Sequence, residues 1–191
     1  AITREVGNRR AEGITLGNLG VLLDDQGHTS EALKHHRQAL LIAREVGNRR
    51  AEGITLGNLG DLLFSQGNLL SAEAHLRDAI AIGDETLPVA AGAFRGSLAL
   101  IRAQQGAFDE ARTLLSQGEP QLRGVHKQEL GKFLCKKVRV EQLAGDPAAA
   151  ATALAEVEAI AGQQLEVSAS IVILEENIRG LQRPDLVTVF Q

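Results

Sequence analysis

A block of 19 residues occurs twice, almost unchanged. Residues 2–20 read ITREVGNRRAEGITLGNLG and residues 42–60 read IAREVGNRRAEGITLGNLG, 40 positions apart, with Thr3 against Ala43 as the one difference. A fixed period in the range of about 20 to 50 residues marks a repeat architecture, in which each unit stacks on copies of itself, and it overrides local readings of the fold. Downstream the identity fades but the punctuation persists. Gly27, Gly67, Gly106 and Gly145 follow one another at steps of 40, 39 and 39, each with an alanine five residues on: Ala32, Ala72, Ala111 and Ala150.

Between these glycines the apolar residues recur at helical spacing. Ile14, Leu16, Leu19, Leu22 and Leu23 form one such set and Ala32, Leu33, His36, Ala39, Leu40 and Ala43 another, so each unit is read as two amphipathic helices. The glycine between them accepts the left-handed backbone that closes a helix, and the next residue caps the helix that follows. Asp146-Pro147 has this form, with Asp as N-cap and Pro at the first helical position. Gly7-Asn8 and Gly47-Asn48 are expected to be the joints between repeats, which makes residues 1–7 the end of a second helix. The chain starts at Ala1 and contains no Met, so it is read as a piece of something longer.

Composition narrows the function classes. The chain has 191 residues, a formal net charge of -4, 3% aromatic residues and no Trp or Tyr. A nucleic-acid binder should carry a basic stripe and stacking aromatics, so nucleic acid is not an expected partner. No apolar run reaches the roughly 18 residues that span a bilayer, so no membrane is expected. One cysteine, Cys135, allows no internal disulfide, which fits a reducing compartment such as the cytoplasm.

Chemistry-bearing motifs are missing. LGNLG lies inside a helical hairpin rather than after a strand, so it is packing and not a phosphate cradle. His28, His35, His36, His75 and His126 show no metal-ligand spacing, and neither metal nor cofactor is expected. Cys135 sits beside Lys136 and Lys137 without a fixed histidine partner. Asp24-Asp25 and Glu175-Glu176 are adjacent residues, which point apart around a helix. No catalytic residue is assigned, and the chain is read as a non-enzyme.

The repeats resemble the tetratricopeptide repeat (TPR) family, in the variant with units near 40 residues found in kinesin light chain and Pins-type arrays. Leu16, Leu19, Gly20, Leu23, Gly27, Ala32, His36 and Ala39 fall at that family's consensus positions in the first full unit, and Leu56, Leu59, Gly60, Leu63, Gly67, Ala72, Leu76 and Ala79 in the second. The third unit departs at Arg95 and Arg102 and the fourth at Lys137 and Glu141. The resemblance implies an all-α fold, a right-handed superhelical solenoid of stacked antiparallel helix pairs with a concave face. It divides the chain into an array over 1–162, with a half repeat at 1–7 and repeats at about 8–47, 48–87, 88–120 and 121–162. Val167, Ile171, Leu174, Ile178 and Leu181 then form the stripe of a capping helix at 163–183, followed by an extended tail at 184–191 that is either disordered or docked in a groove.

The family lines its groove with residues of each unit's first helix. Carried over, this gives Ile14, Gly17, Asn18, Val21, Asp24 and Asp25, then Ile54, Gly57, Asn58, Asp61, Phe64 and Ser65, then a small-residue stretch Ala93, Gly96, Ser97, Leu100, Ala103 and Gln104 with room for a ligand. The fourth unit gives Lys132, Cys135, Lys136, Arg139, Gln142 and Leu143; Lys132, Lys136 and Arg139 share one helix face. The expected peptide-binding residues are Asn18, Asn58, Val21, Asp61, Phe64, Lys132, Lys136 and Arg139. In the resembling families an asparagine at the Asn18 and Asn58 positions bonds the backbone of a bound peptide; the plain alternative is a polar helix face copied by duplication. The resemblance implies a protein-interaction module whose partner is a protein or peptide. The alternative is a structural, oligomerising or regulatory spacer, self-associating through exposed repeat ends.

Overall fold

The computed structural model describes residues 2–163, with side chains for residues 8–161; the expected capping helix and tail lie beyond residue 163, outside the described residues. Eight helices follow one another: α1 (Ile2–Asp25), α2 (Thr29–Glu45), α3 (Arg49–Ser65), α4 (Leu69–Thr86), α5 (Pro88–Gln104), α6 (Phe108–Leu122), α7 (Lys127–Leu143) and α8 (Pro147–Gln163). No strand occurs among the described residues. The chain forms two compact units, one up to Phe94 and one from Arg95 on.

The turns are built as the glycine spacing predicts. Gly27, Gly47, Gly67, Gly106 and Gly145 have φ between 66° and 79°, a backbone that an L side chain would strain. At Gly47 the chain closes α2 with bonds from Gly47 N to Arg44 O and from Asn48 N to Ala43 O. Asn48, Asn68 and Asp146 then cap the next helices by accepting from the backbone N–H groups of Ala51, Ser71 and Ala149. His28 and Ala107, expected to do the same, make no side-chain cap. Alanine has no acceptor to offer.

The joint expected at Gly7-Asn8 is absent: α1 runs unbroken through it, although residues 4–20 repeat residues 44–60 without a change. Local sequence therefore does not make the turn. At Gly47-Asn48 the turn lets α2 pack along α3 and brings Arg44 Nε to 2.9 Å from Glu52 Oε1. No described helix packs over α1 in that way, and a straight backbone keeps every i to i−4 bond.

In unit one the core is made of Ala32, Ala39, Leu56, Leu59, Leu62, Ala72, Leu76 and Ala79, all nearly inaccessible. Helical glycines set how closely the helices approach. A Cβ on Gly57 would lie 2.0 Å from the tip of the Phe94 ring, and one on Gly20 would lie 2.7 Å from the His36 ring. Larger residues there would push the helices apart.

Unit two replaces part of the apolar consensus with polar links between helices. Arg95 Nη1 donates to Gln121 Oε1 at 2.8 Å and Arg102 Nε to Glu110 Oε2 at 2.8 Å. Lys137 Nζ reaches Glu119 Oε2 at 2.8 Å, and Arg112 grips the buried Glu141 with Nη2 2.7 Å from Oε2. Those four departures, Arg95, Arg102, Lys137 and Glu141, are thus cross-links between neighbouring helices. Burial pushes the Glu119 carboxyl up, but hydrogen bonds from Lys137 and Arg123 outweigh it and hold the group below its ordinary range.

Candidate functional site

In unit one the candidate residues come from α1 and α3. Asn18 and Val21 are one turn apart on α1 and exposed; Asn58, Asp61 and Phe64 occupy one face of α3 and are half-buried. Neither asparagine side chain makes a hydrogen bond among the described residues. Each therefore presents an unused donor pair and an acceptor, the complement of a peptide unit. This face is also acidic. Burial raises the Asp24 carboxyl, and the nearby charges of Asp25 and Asp61 raise it further.

In unit two the candidates lie on α7. Lys132 Nζ is 3.0 Å from Glu129 Oε1, so its charge is partly neutralised within its own helix. Lys136 Nζ donates to Ser97 Oγ at 2.6 Å, which ties α7 to α5. Arg139 is exposed, with a long 3.4 Å contact from Nη1 to Gln142 Oε1. Of the three basic residues, Arg139 projects farthest into solvent.

Two expectations for this face fail. Ser97, Leu100 and Ala103 are buried, at 1%, 7% and 3% exposure, so the middle of the small-residue stretch is closed to a ligand, and only half-buried Ala93 and exposed Gln104 at its ends reach the surface. Gly57 and Gly96 are not groove floor either, because the Phe94 and Phe133 rings lie on them. Sequence reasoning overlooked these two phenylalanines. Their signal was present: Phe94 follows Gly57 by 37 residues, and Phe133 follows Gly96 by the same 37.

Cys135 is buried, and burial pushes its thiol up to about 12 although Lys136 pulls the other way. A thiol so held is not a nucleophile at neutral pH. Among the described residues no group of three metal-ligating side chains converges, and no helix is long and apolar enough to cross a membrane.

A family comparison decides what these stacked hairpins are. Residues 1–180 match the MalT-like TPR region. The chain belongs to that family. Solved structures share this TPR region's fold. BtubC (BKLC) from P. vanneervenii aligns with a TM-score of 0.64 at 16% identity, over 79% of this chain and 63% of that one. Two structures of a Podosopora anserina protein, with nearly identical TPR-like repeats of the kinesin light chain kind, align with TM-scores of 0.60 and 0.59 at 19% and 20% identity. Each covers 90% of this chain and 86% of the other. At such identities the likeness is one of fold, which is all-helical and TPR-like. The chain spans just under two thirds of BtubC's length. No curated protein is a significant match.

Proposed function

We propose that this TPR region is a non-enzymatic protein-interaction module, and that the first-helix faces hold a segment of a partner protein. Asn18 and Asn58 hold the partner's backbone, Val21 and Phe64 take its apolar side chains, and Asp61 favours a basic residue in it. In unit two, Lys132, Lys136 and Arg139 receive acidic groups. The observation that carries the reading is the pair of asparagines at equivalent repeat positions, both outward enough to be reached and both with unspent hydrogen-bonding capacity. The single, buried cysteine and the acidic, aromatic-poor composition support a module of a reducing compartment such as the cytoplasm, without nucleic acid as partner.

The test is a selection of displayed random peptides on the intact chain, followed by calorimetry of the best binder. Asn18→Ala with Asn58→Ala should weaken that peptide by about 1 kcal/mol for each lost bond. An unchanged dissociation constant in the double variant retires the proposal.

A further inference from the structure

The duplication provides an internal control that most proteins lack. The same sequence from Glu12 to Gly20 recurs from Glu52 to Gly60, once on α1 and once on α3, so any difference in burial between the copies is caused by what packs on them. Most positions are more exposed on α1, but those that change from buried on α3 to exposed on α1 fall on one side. On α3, Leu59 and Leu62 are each 2% exposed; on α1, their counterparts Leu19 and Leu22 are 37% and 53% exposed. Thr55 is buried and Thr15 exposed. The Glu52 side chain is 10% exposed and that of Glu12 50%.

These four positions lie within a third of a turn of one another around the helix, so they form one stripe, bordered by Asn18, which comes three residues after Thr15 and four before Leu22. On α3 the preceding hairpin, chiefly α2, packs against the helix, and Arg44 and Arg49 both hold Glu52, at 2.9 and 2.6 Å. On α1, among the described residues, Glu12 has Arg9 alone, at 2.7 Å. No described side chain takes the place that Arg44 has beside Glu52.

We propose that the α1 stripe of Glu12, Thr15, Leu19 and Leu22 is a docking site for a helix of the α2 type, amphipathic and carrying an arginine placed to reach Glu12 as Arg44 reaches Glu52. Apolar area and charge point to the same occupant. Leu19 and Leu22 supply uncovered aliphatic surface, and Glu12 supplies a carboxylate that already has one of the two guanidinium groups its copy has. An extended peptide would leave the leucines half covered, and an acidic helix would face Glu12 unpaired. This inference does not depend on the asparagine reading, since it uses none of the residues assigned there.

The probe is a labelled synthetic peptide with the sequence of residues 29–47, titrated into the intact chain and followed by fluorescence anisotropy. Saturable binding is expected. Leu22→Asp in the chain should weaken it about tenfold or more while leaving the circular dichroism spectrum unchanged, because Leu22 is already half exposed. Glu12→Arg should also weaken it, and a peptide carrying Arg44→Glu should restore binding to that variant. Absence of saturable binding, or equal binding by Leu22→Asp, overturns the proposal. So does a sedimentation mass that doubles with concentration in the parent chain and not in Leu22→Asp, because a second copy would then be the occupant. The peptide selected on the asparagine face should bind Glu12→Arg normally, because Glu12 lies six residues before Asn18 and about a third of a turn away from it, which separates the two proposals.

Discussion

His36 shows how much one residue departs from its own repeat. It is 1% exposed and lies against Gly20, where the next unit places Leu76 against Gly60. Its Nδ1 is buried without a hydrogen-bond partner. Burial, with a smaller contribution from His35, lowers its pKa from the ordinary 6.5 to about 4. The imidazole is therefore neutral in the folded chain. Because the unfolded chain takes up the proton first, this site costs nothing above pH 6.5 and removes stability progressively as pH falls from there to about 4. The full loss is about 3 kcal/mol. Denaturant titrations between pH 7 and pH 4 should show a shallower acid decline for His36→Leu, and higher stability at every pH. Parallel acid profiles for the two proteins would show that the site does not titrate this way. Glu52 works in the same direction for the opposite reason. Burial pushes its carboxyl up, but hydrogen bonds from Arg44 and Arg49 more than offset this and hold it below the ordinary range, so its stabilisation is also lost on acidification.

Helical segments identical in sequence respond differently to the same change. Gly17 of α1 and Gly57 of α3 sit in the same octapeptide, GITLGNLG. A Cβ at Gly17 would meet nothing closer than Ala39 Cβ at 4.0 Å, an ordinary contact. Gly17→Ala should stabilise by about 0.5–1 kcal/mol, because glycine in a helix interior is disfavoured by about that amount. A Cβ at Gly57 would lie 2.0–2.3 Å from three ring atoms of Phe94, and the ring is buried. Gly57→Ala should destabilise by about 1–3 kcal/mol through overpacking. Urea midpoints of the two single variants check this; changes of the same sign would mean that Phe94 moves aside at little cost.

Over the whole molecule, stability in a repeat array is a sum over neighbours, so a helix covered on fewer sides opens more easily. Residues 13–20 are packed from the α2 side, with little contact to α3; residues 53–60 are enclosed by α2 and α4, with Phe94 lying on Gly57. Amide exchange resolved by NMR should be faster throughout 13–20 than throughout 53–60, despite identical local sequence. Equal protection would mean that the chain opens as one cooperative body. The ion pairs of unit two, Arg112 with Glu141 and Arg102 with Glu110, fit the same account, because each links neighbouring helices.

The sequence by itself determined the helical period, the glycine turns and the family. Those depend on local spacing and on backbone conformations that few residues tolerate, and both can be read along one dimension. It placed Asn18, Val21, Asn58, Asp61, Phe64, Lys132, Lys136 and Arg139 on first helices, because a face follows from a register. It could not tell that α1 would run straight through Gly7, that Phe94 and Phe133 would fill Gly57 and Gly96, or that Lys136 would be tied to Ser97. The tertiary structure decided these: duplicate sequences have the same propensities, and only the helices packed around each copy determine whether a turn forms, a glycine is filled or a leucine stays in water.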